Sequence, residues 1–372
     1  MGNQASKDRL MDYANHNHCH IHQEIQLEWE YPTPVSPHSY IKKKKKKIEE
    51  AIIISPTQYQ FVLADHISPL ISLSAAASLK QRTCSVIQNS QQKKREEELW
   101  VYEYGAENER DRQTRQHYVL KLVFNGNIHV QLNNPERILE SACGVGLWSI
   151  EMAQAYPNCQ VIGIDIIPPS EKEGWTQSSK SIEQRIQFQY SDILLNPISF
   201  PNDYFDFIYQ RDVATVVPFT VWPKLISEFF RILKPGGQIQ LVEYDLLFKN
   251  PGPVLTQVNE YYRIAASAID VNPDYTFSLP DYLKEAGFTN IEIKTYDIPI
   301  GEWPATDLEK QYGYLYKEQM RALFKSMKRW WCSEIKVLSK QEYDRVCLEA
   351  LDEFEDFHSY ACWKIFTATK KK

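Results

Sequence analysis

From Arg137 onward, short apolar runs alternate with longer stretches of helical period, the pattern of a sheet whose parallel strands are joined by helices. Ile138-Leu139 begins the series, and Gln160–Ile164 is apolar enough throughout to be a buried parallel strand. Phe188–Tyr190, Phe205–Tyr209 and Gln238–Val242 read as third, fourth and fifth strands, the fourth apolar except for Asp206. Leu147–Tyr156 reads as a helix stopped by Pro157-Asn158. Trp222–Leu233 carries a helical stripe of Leu225, Ile226, Phe229, Phe230 and Leu233, and Lys234-Pro235-Gly236-Gly237 ends it. Ile291–Ile298 and Ala361–Ala368 are two further strands. Between them, Asp307–Phe357 is helical and aromatic-rich, with Tyr312, Tyr314, Tyr316, Trp330 and Trp331, and reads as a lid.

The turn after the first strand carries the candidate chemistry. Gly144 and Gly146 lack the Cβ that would hold a ligand away from the backbone. Asp165 ends the second strand 19 residues after Gly146, near the offset at which an acid meets ribose hydroxyls in such folds. A dinucleotide fingerprint would place a third small residue where Ser149 stands, which counts against a nicotinamide and hence against an oxidoreductase. Glu140, two residues before the small Ala142, fits an adenosyl ligand that carries an ammonium rather than a pyrophosphate. Gln210, Arg211 and Asp212 follow at the carboxyl end of the fourth strand, where open parallel sheets bind ligands.

Taken in order, a set of segments resembles a class I S-adenosylmethionine-dependent methyltransferase, and within it a fungal branch that includes regulators of secondary metabolism. They are ENERDRQTRQHYVLKLVFNGN (107–127), ESACGVGLW (140–148), VIGIDI (161–166), FQYSDIL (188–194), FDFIYQRDVA (205–214), WPKLISEFFRILKPGGQIQLVEYD (222–245) and YLKEAGFTNIEI (282–293). The resemblance covers about residues 99–372. It implies an α/β, Rossmann-like fold with a mostly parallel seven-stranded sheet, an antiparallel last strand, and a helical lid at about 304–358 between the last two strands. It implies S-adenosyl-L-methionine as cofactor, with Glu140, Ala142, Gly144, Gly146, Trp148, Asp165, Ile166, Asp192, Ile193, Gln210 and Arg211 as its binding residues. In the family the acid at Asp192 accepts from the adenine amino group and the apolar neighbour, here Ile193, packs the ring. Ala142 stands where glycine is usual.

Methyl transfer from a sulfonium is an in-line displacement, so rate can come from holding nucleophile and methyl at near-attack distance, and a dedicated base is optional. If a hydroxyl must lose its proton, Asp212, Glu243, His117 and Tyr244 are candidates; none is assigned as catalytic. Tyr209-Gln210-Arg211-Asp212 replaces the Asn/Asp-Pro-Pro-aromatic motif that methylation of a DNA base would call for. The acceptor is therefore expected to be a small molecule or a protein side chain, with no nucleic-acid partner. The alternative is a cofactor-binding regulator of gene expression or secondary metabolism without turnover.

Charge is segregated along the chain. Residues 1–95 hold 13 Lys/Arg against 8 Asp/Glu, so a net charge of −6 overall leaves −11 on the remainder. Lys42–Lys47 is an unbroken lysine run, and residues 51–90 show no sustained period, so 1–98 is expected to be a low-complexity, disordered region. Met1-Gly2-Asn3-Gln4-Ala5-Ser6 fits the N-myristoylation pattern at Gly2, and the lysine run could supply the second signal that peripheral membrane contact requires. The expected location is cytoplasmic, membrane-associated if Gly2 is acylated, with the nucleus as alternative. His16, His18, Cys19, His20 and His22 crowd together in that region, but no metal site is assigned. The seven cysteines, scattered and odd in number, give no disulfide or zinc spacing.

Overall fold

The computed structural model describes residues 101–102, 106–169 and 184–372. The readings made for residues 1–98, Gly2 and Lys42–Lys47 among them, lie outside the described residues. Within the described chain the order is α1 (Glu107–Phe124), β1 (Arg137–Ser141), α2 (Leu147–Ala155), β2 (Gln160–Asp165), β3 (Ile186–Tyr190), β4 (Phe205–Arg211), α3 (Trp222–Ile232) and β5 (Leu233–Tyr244). Then come α4 (Pro253–Ser267), α5 (Leu279–Glu285), β6 (Phe288–Pro299), α6 (Asp307–Glu334), α7 (Lys340–Asp356) and β7 (Tyr360–Lys370).

The seven strands form one sheet in the order β3-β2-β1-β4-β5-β7-β6. β1 through β5 pair in parallel, and β7 lies antiparallel to both β5 and β6. The order reverses between β1 and β4, which opens a crevice at their carboxyl ends. Val161, Ile162 and Ile164 are all buried, as a strand covered on both faces requires. The stripe of α3 does what its spacing predicts: Leu225, Ile226 and Phe229 are fully buried. Two boundaries differ from expectation. Leu233 begins β5 rather than closing α3, and Gly236 is bent into the left-handed region (φ +82°) within the strand.

The insertion between β6 and β7 is the helical pair α6–α7. Three of its aromatic residues are structural, whereas Tyr314 is exposed. Tyr316, Trp330 and Trp331 are buried, Trp331 meeting the ring of Tyr262 on α4 edge-on at 5.3 Å. Trp363 of β7 donates its indole N–H to the Tyr316 hydroxyl at 2.7 Å, tying the insertion to the sheet. Among the described helices none is long and apolar enough to cross a membrane.

Gly146 caps the start of α2 at φ +73°, and a Cβ there would lie 2.4 Å from Cζ of Phe188 on β3. We expect Gly146→Ala to destabilise the fold by about 1–3 kcal/mol in urea unfolding, through left-handed strain and overpacking together. Combining it with Phe188→Leu should recover part of that loss, because the two residues share one space.

Candidate active site

A cavity of about 340 Å³ opens at the carboxyl ends of β1, β2 and β4. One wall of its lining is the turn after β1 with Asp165, Ile166, Asp192 and Ile193; the other is α1, whose Gln113 packs against Gly144, together with the segment after β4.

Glu140 and Asp165, on neighbouring strand tips, organise the first wall. Oε2 of Glu140 accepts from the Ser149 backbone N–H at 3.0 Å and from the Ser149 hydroxyl. Ser149, which weighs against a dinucleotide, thus has a positive role as the cap of this acid. Burial pushes the Glu140 carboxyl up to about 7, against the pull of the Ser149 hydrogen bonds and the Arg211 charge. Asp165 accepts from the Gly144 N–H through Oδ2 (2.9 Å) and from the Ile167 N–H through Oδ1 (2.8 Å), so it pins the turn on one side and its own loop on the other. Burial raises its carboxyl too.

Gly144 (φ +54°) and Ala142 (φ +52°) both line the cavity in left-handed geometry. Glycine adopts that geometry freely, whereas Ala142 carries about 1–2 kcal/mol of strain. Trp148 is buried beneath, stacked on Tyr209 with centroids 4.0 Å apart, its indole N–H donated to the Asn127 carbonyl at 3.1 Å. Asp192 accepts from the Leu194 N–H at 2.9 Å, a tight turn that aims the buried Ile193 at the cavity. Arg211 lines the cavity and contacts His117 Nδ1 at 3.4 Å, not the insertion.

Two of the expected cofactor contacts do not reach the cavity. Gly146 sits behind the turn, its missing Cβ making room for Phe188 rather than for a ligand. Gln210 points the other way, because successive strand residues alternate faces; its Oε1 accepts from the Ser141 hydroxyl at 3.0 Å. Of the candidate bases, only Asp212 lines the cavity. Glu243 is buried behind it, accepting from the Tyr275 hydroxyl at 3.1 Å and the Val213 N–H at 3.2 Å. Tyr244 is hydrogen-bonded to Tyr262, and His117 is packed 3.3 Å from Glu151.

The second wall was not legible as a site. Its polar residues, Arg112, Gln113 and Gln116, belong to α1, which entered the sequence reading as the 107–127 segment of the resemblance and through His117 alone. Yet Glu109, Arg112 and Gln116 stand at i, i+3 and i+7, on one face, and all are buried. That spacing was the available signal. Tyr102 and Thr215 complete the wall, their hydroxyls 2.7 Å apart.

The insertion acts at one remove. Among the described residues, none of 304–358 lines the cavity, so the expected lid is instead a buttress behind α1. The Ser326 hydroxyl donates to Glu109 at 2.6 Å. Gln319, with its amide turned to satisfy both ends, donates to the Arg112 carbonyl (3.2 Å) and accepts from its Nη1 (3.1 Å).

Residues 110–293 match the family model described as a methyltransferase domain. Methyltransferase pytC of Aspergillus terreus is 24% identical over 266 residues, covering 66% of this chain and 78% of the relative. The secondary metabolism regulator LAE1 of Cochliobolus heterostrophus is 27% identical over 229 residues (58% and 71%). The protein-methionine methyltransferase laeA of Emericella nidulans is 27% identical over 250 residues (63% and 62%). With the sheet order above, these place the chain among the class I S-adenosylmethionine-dependent methyltransferases. It is an enzyme of that class, similar to a fungal methyltransferase and to a fungal regulator of secondary metabolism.

The Glu140 carboxyl has a measurable signature. Its folded value near 7 exceeds the ordinary 4.5, so the stability it contributes is full below about 4.5 and is lost as pH rises toward 7. Melting temperatures of the wild type and Glu140→Gln, compared across that window, should diverge, with the wild type losing stability as pH rises and the variant holding flatter.

Proposed function

We propose that this chain transfers the methyl group of S-adenosylmethionine to an acceptor seated against α1 and the segment after β4. The observation that carries the reading is a single cavity joining two unlike walls. One is acidic and backbone-rich, with Glu140, Asp165 and Asp192; the other sets the polar Arg112, Gln113, Gln116 and Asp212 beside the apolar Val101, Val213, Val216, Pro218, Ile269 and Val271.

The residues present suit the cofactor. The turn lines the cavity with Ala142, Cys143, Gly144 and Val145, and the missing Cβ of Gly144 makes room for the Gln113 side chain of α1, whose Oε1 lies 2.5 Å from where that carbon would be. Each carboxylate oxygen of Asp165 accepts one backbone N–H and keeps a lone pair for a ribose hydroxyl. Glu140 supplies the negative charge for an ammonium, Asp192 with Ile193 a polar edge and an apolar face for the adenine, and Trp148, Ile166 and Arg211 the remaining lining. When bound, the cofactor supplies an electrophilic methyl on a positively charged sulfur. The protein's part is to bind, orient and exclude water.

The acceptor is a small molecule or a protein side chain; the relative from Emericella nidulans, named a protein-methionine methyltransferase, supports the latter class. The name of LAE1 as a regulator favours a second reading, a cofactor-binding regulator of secondary metabolism, which detectable methyl transfer would exclude. We place the protein in the cytoplasm, at a membrane if Gly2 is myristoylated, with the nucleus as the alternative.

Isothermal titration of the full chain with S-adenosylmethionine and S-adenosylhomocysteine should show micromolar binding of both and none of NADH. Asp165→Ala should weaken both by tenfold or more, since charged hydrogen bonds are worth about 1.5–3 kcal/mol each. Absence of binding by the wild type would defeat the reading.

A further inference from the structure

The acceptor wall contains one carboxylate whose environment is set by a buried chain of side chains starting in the insertion. The Ser326 hydroxyl donates to Glu109 (2.6 Å), and the Arg112 guanidinium donates to both oxygens of Glu109 (2.7 and 2.9 Å). Arg112 Nη1 also donates to Gln116 Oε1 (3.2 Å), and Gln116 Nε2 donates to Asp212 Oδ2 (2.8 Å). Glu109, Arg112 and Gln116 are all buried, so the relay is held in a fixed geometry.

It stops at Asp212. Oδ1 of Asp212 is buried without a partner, although Oδ2 is engaged, and the residue holds a left-handed backbone (φ +57°) that costs an aspartate energy to keep. Buried polar atoms are nearly always satisfied, and an orphan beside a ligand cavity marks a group that the ligand completes. Charge points the same way. Arg112, whose charge reaches Asp212, is held in place by its two bonds to Glu109. Arg211 leans toward His117 and over Tyr209. Glu243 behind Asp212 adds no positive charge, and Gln116, which holds Oδ2, is neutral. The remaining lining on this side is aliphatic, apart from Gln113, whose amide donates to Glu109, and Tyr102 and Thr215, which are bonded to each other. An anionic acceptor would meet a carboxylate there, and a thioether would leave Oδ1 still unpaired.

We propose that Asp212 is the acceptor-binding carboxylate and that the acceptor it selects is an aliphatic amine. This rests on the methyltransferase reading above and deepens it. The acceptor enters as an ammonium whose N–H donates to Oδ1, and the carboxylate takes that proton, which leaves a neutral nitrogen with its lone pair free. The nitrogen lone pair then forms the new N–C bond while the methyl carbon's bond to sulfur breaks, its electron pair remaining on sulfur. Gln116 and Arg112 are positioning residues: they fix Oδ2 so that Oδ1 is the free oxygen. The insertion reaches the chemistry only through them.

The test is calorimetric binding of benzylamine, benzyl alcohol and benzyl methyl sulfide to the full chain saturated with S-adenosylhomocysteine. These three probes differ chiefly in the donor they offer. We expect benzylamine to bind at least tenfold more tightly than either analogue, and Asp212→Asn and Asp212→Ser each to remove that preference while S-adenosylhomocysteine affinity stays within threefold. Gln116→Met should reduce the preference without changing cofactor affinity. Equal binding of the three probes, no binding of benzylamine, or an amine preference retained in a folded Asp212 variant overturns the proposal. In all three cases retained S-adenosylhomocysteine binding leaves the cofactor reading standing, and its loss in the wild type would defeat that reading instead.

Discussion

Two carboxylates hold backbone amides of one turn, and the rest of the site depends on that arrangement. Glu140, next to last in β1, caps the first turn of α2 through Ser149; Asp165 ends β2 and ties down the Gly144 amide. Because β1 and β2 pair in register, with Glu140 opposite Gly163 and Ser141 opposite Ile164, the two acids reach the same end of the sheet. Each charge is partly desolvated, which costs energy, and each is partly repaid by N–H donors. What results is a rigid acidic rim whose remaining lone pairs face a cavity. Ala142 keeps its strained backbone because this turn is fixed from both sides.

The other wall is built on another principle. α1 carries a bidentate Arg112–Glu109 pair inside the protein, at 3% and 1% side-chain exposure. Such a pair is weak as a source of stability, but removing one partner leaves a buried charge, so it fixes a single arrangement. The insertion α6 supplies the hydrogen bonds that complete this arrangement, through Ser326 and Gln319. Changes on α6 that never touch a ligand are thereby coupled to the cavity by contiguous hydrogen bonds.

Much of this was legible beforehand. The alternation of apolar runs and helical stripes located the strands within a few residues, since burial on both faces leaves a nearly continuous apolar run at β2 and β4. The acids at strand tips were legible because open sheets bind ligands there. Gly146 and Gln210 were placed at the cavity by motif position alone. The first serves packing against Phe188, and the second faces away by strand alternation; neither difference shows in a motif. The buried face of α1 was hidden because charged residues usually signal solvent, and only their mutual pairing makes burial affordable.

By itself the sequence determined the element types and the acids at the strand tips, which follow from local periodicity and spacing, and the class of enzyme, which follows from the resemblance of its ordered motifs. Only the tertiary structure decided which residues share the cavity, that the aromatic insertion buttresses α1 instead of covering the site, and that Asp212 alone among four candidates faces it. Those outcomes depend on contacts between segments far apart in the chain, such as Gln116 with Asp212 and Glu109 with Ser326. No local pattern encodes which distant partner will satisfy a buried charge.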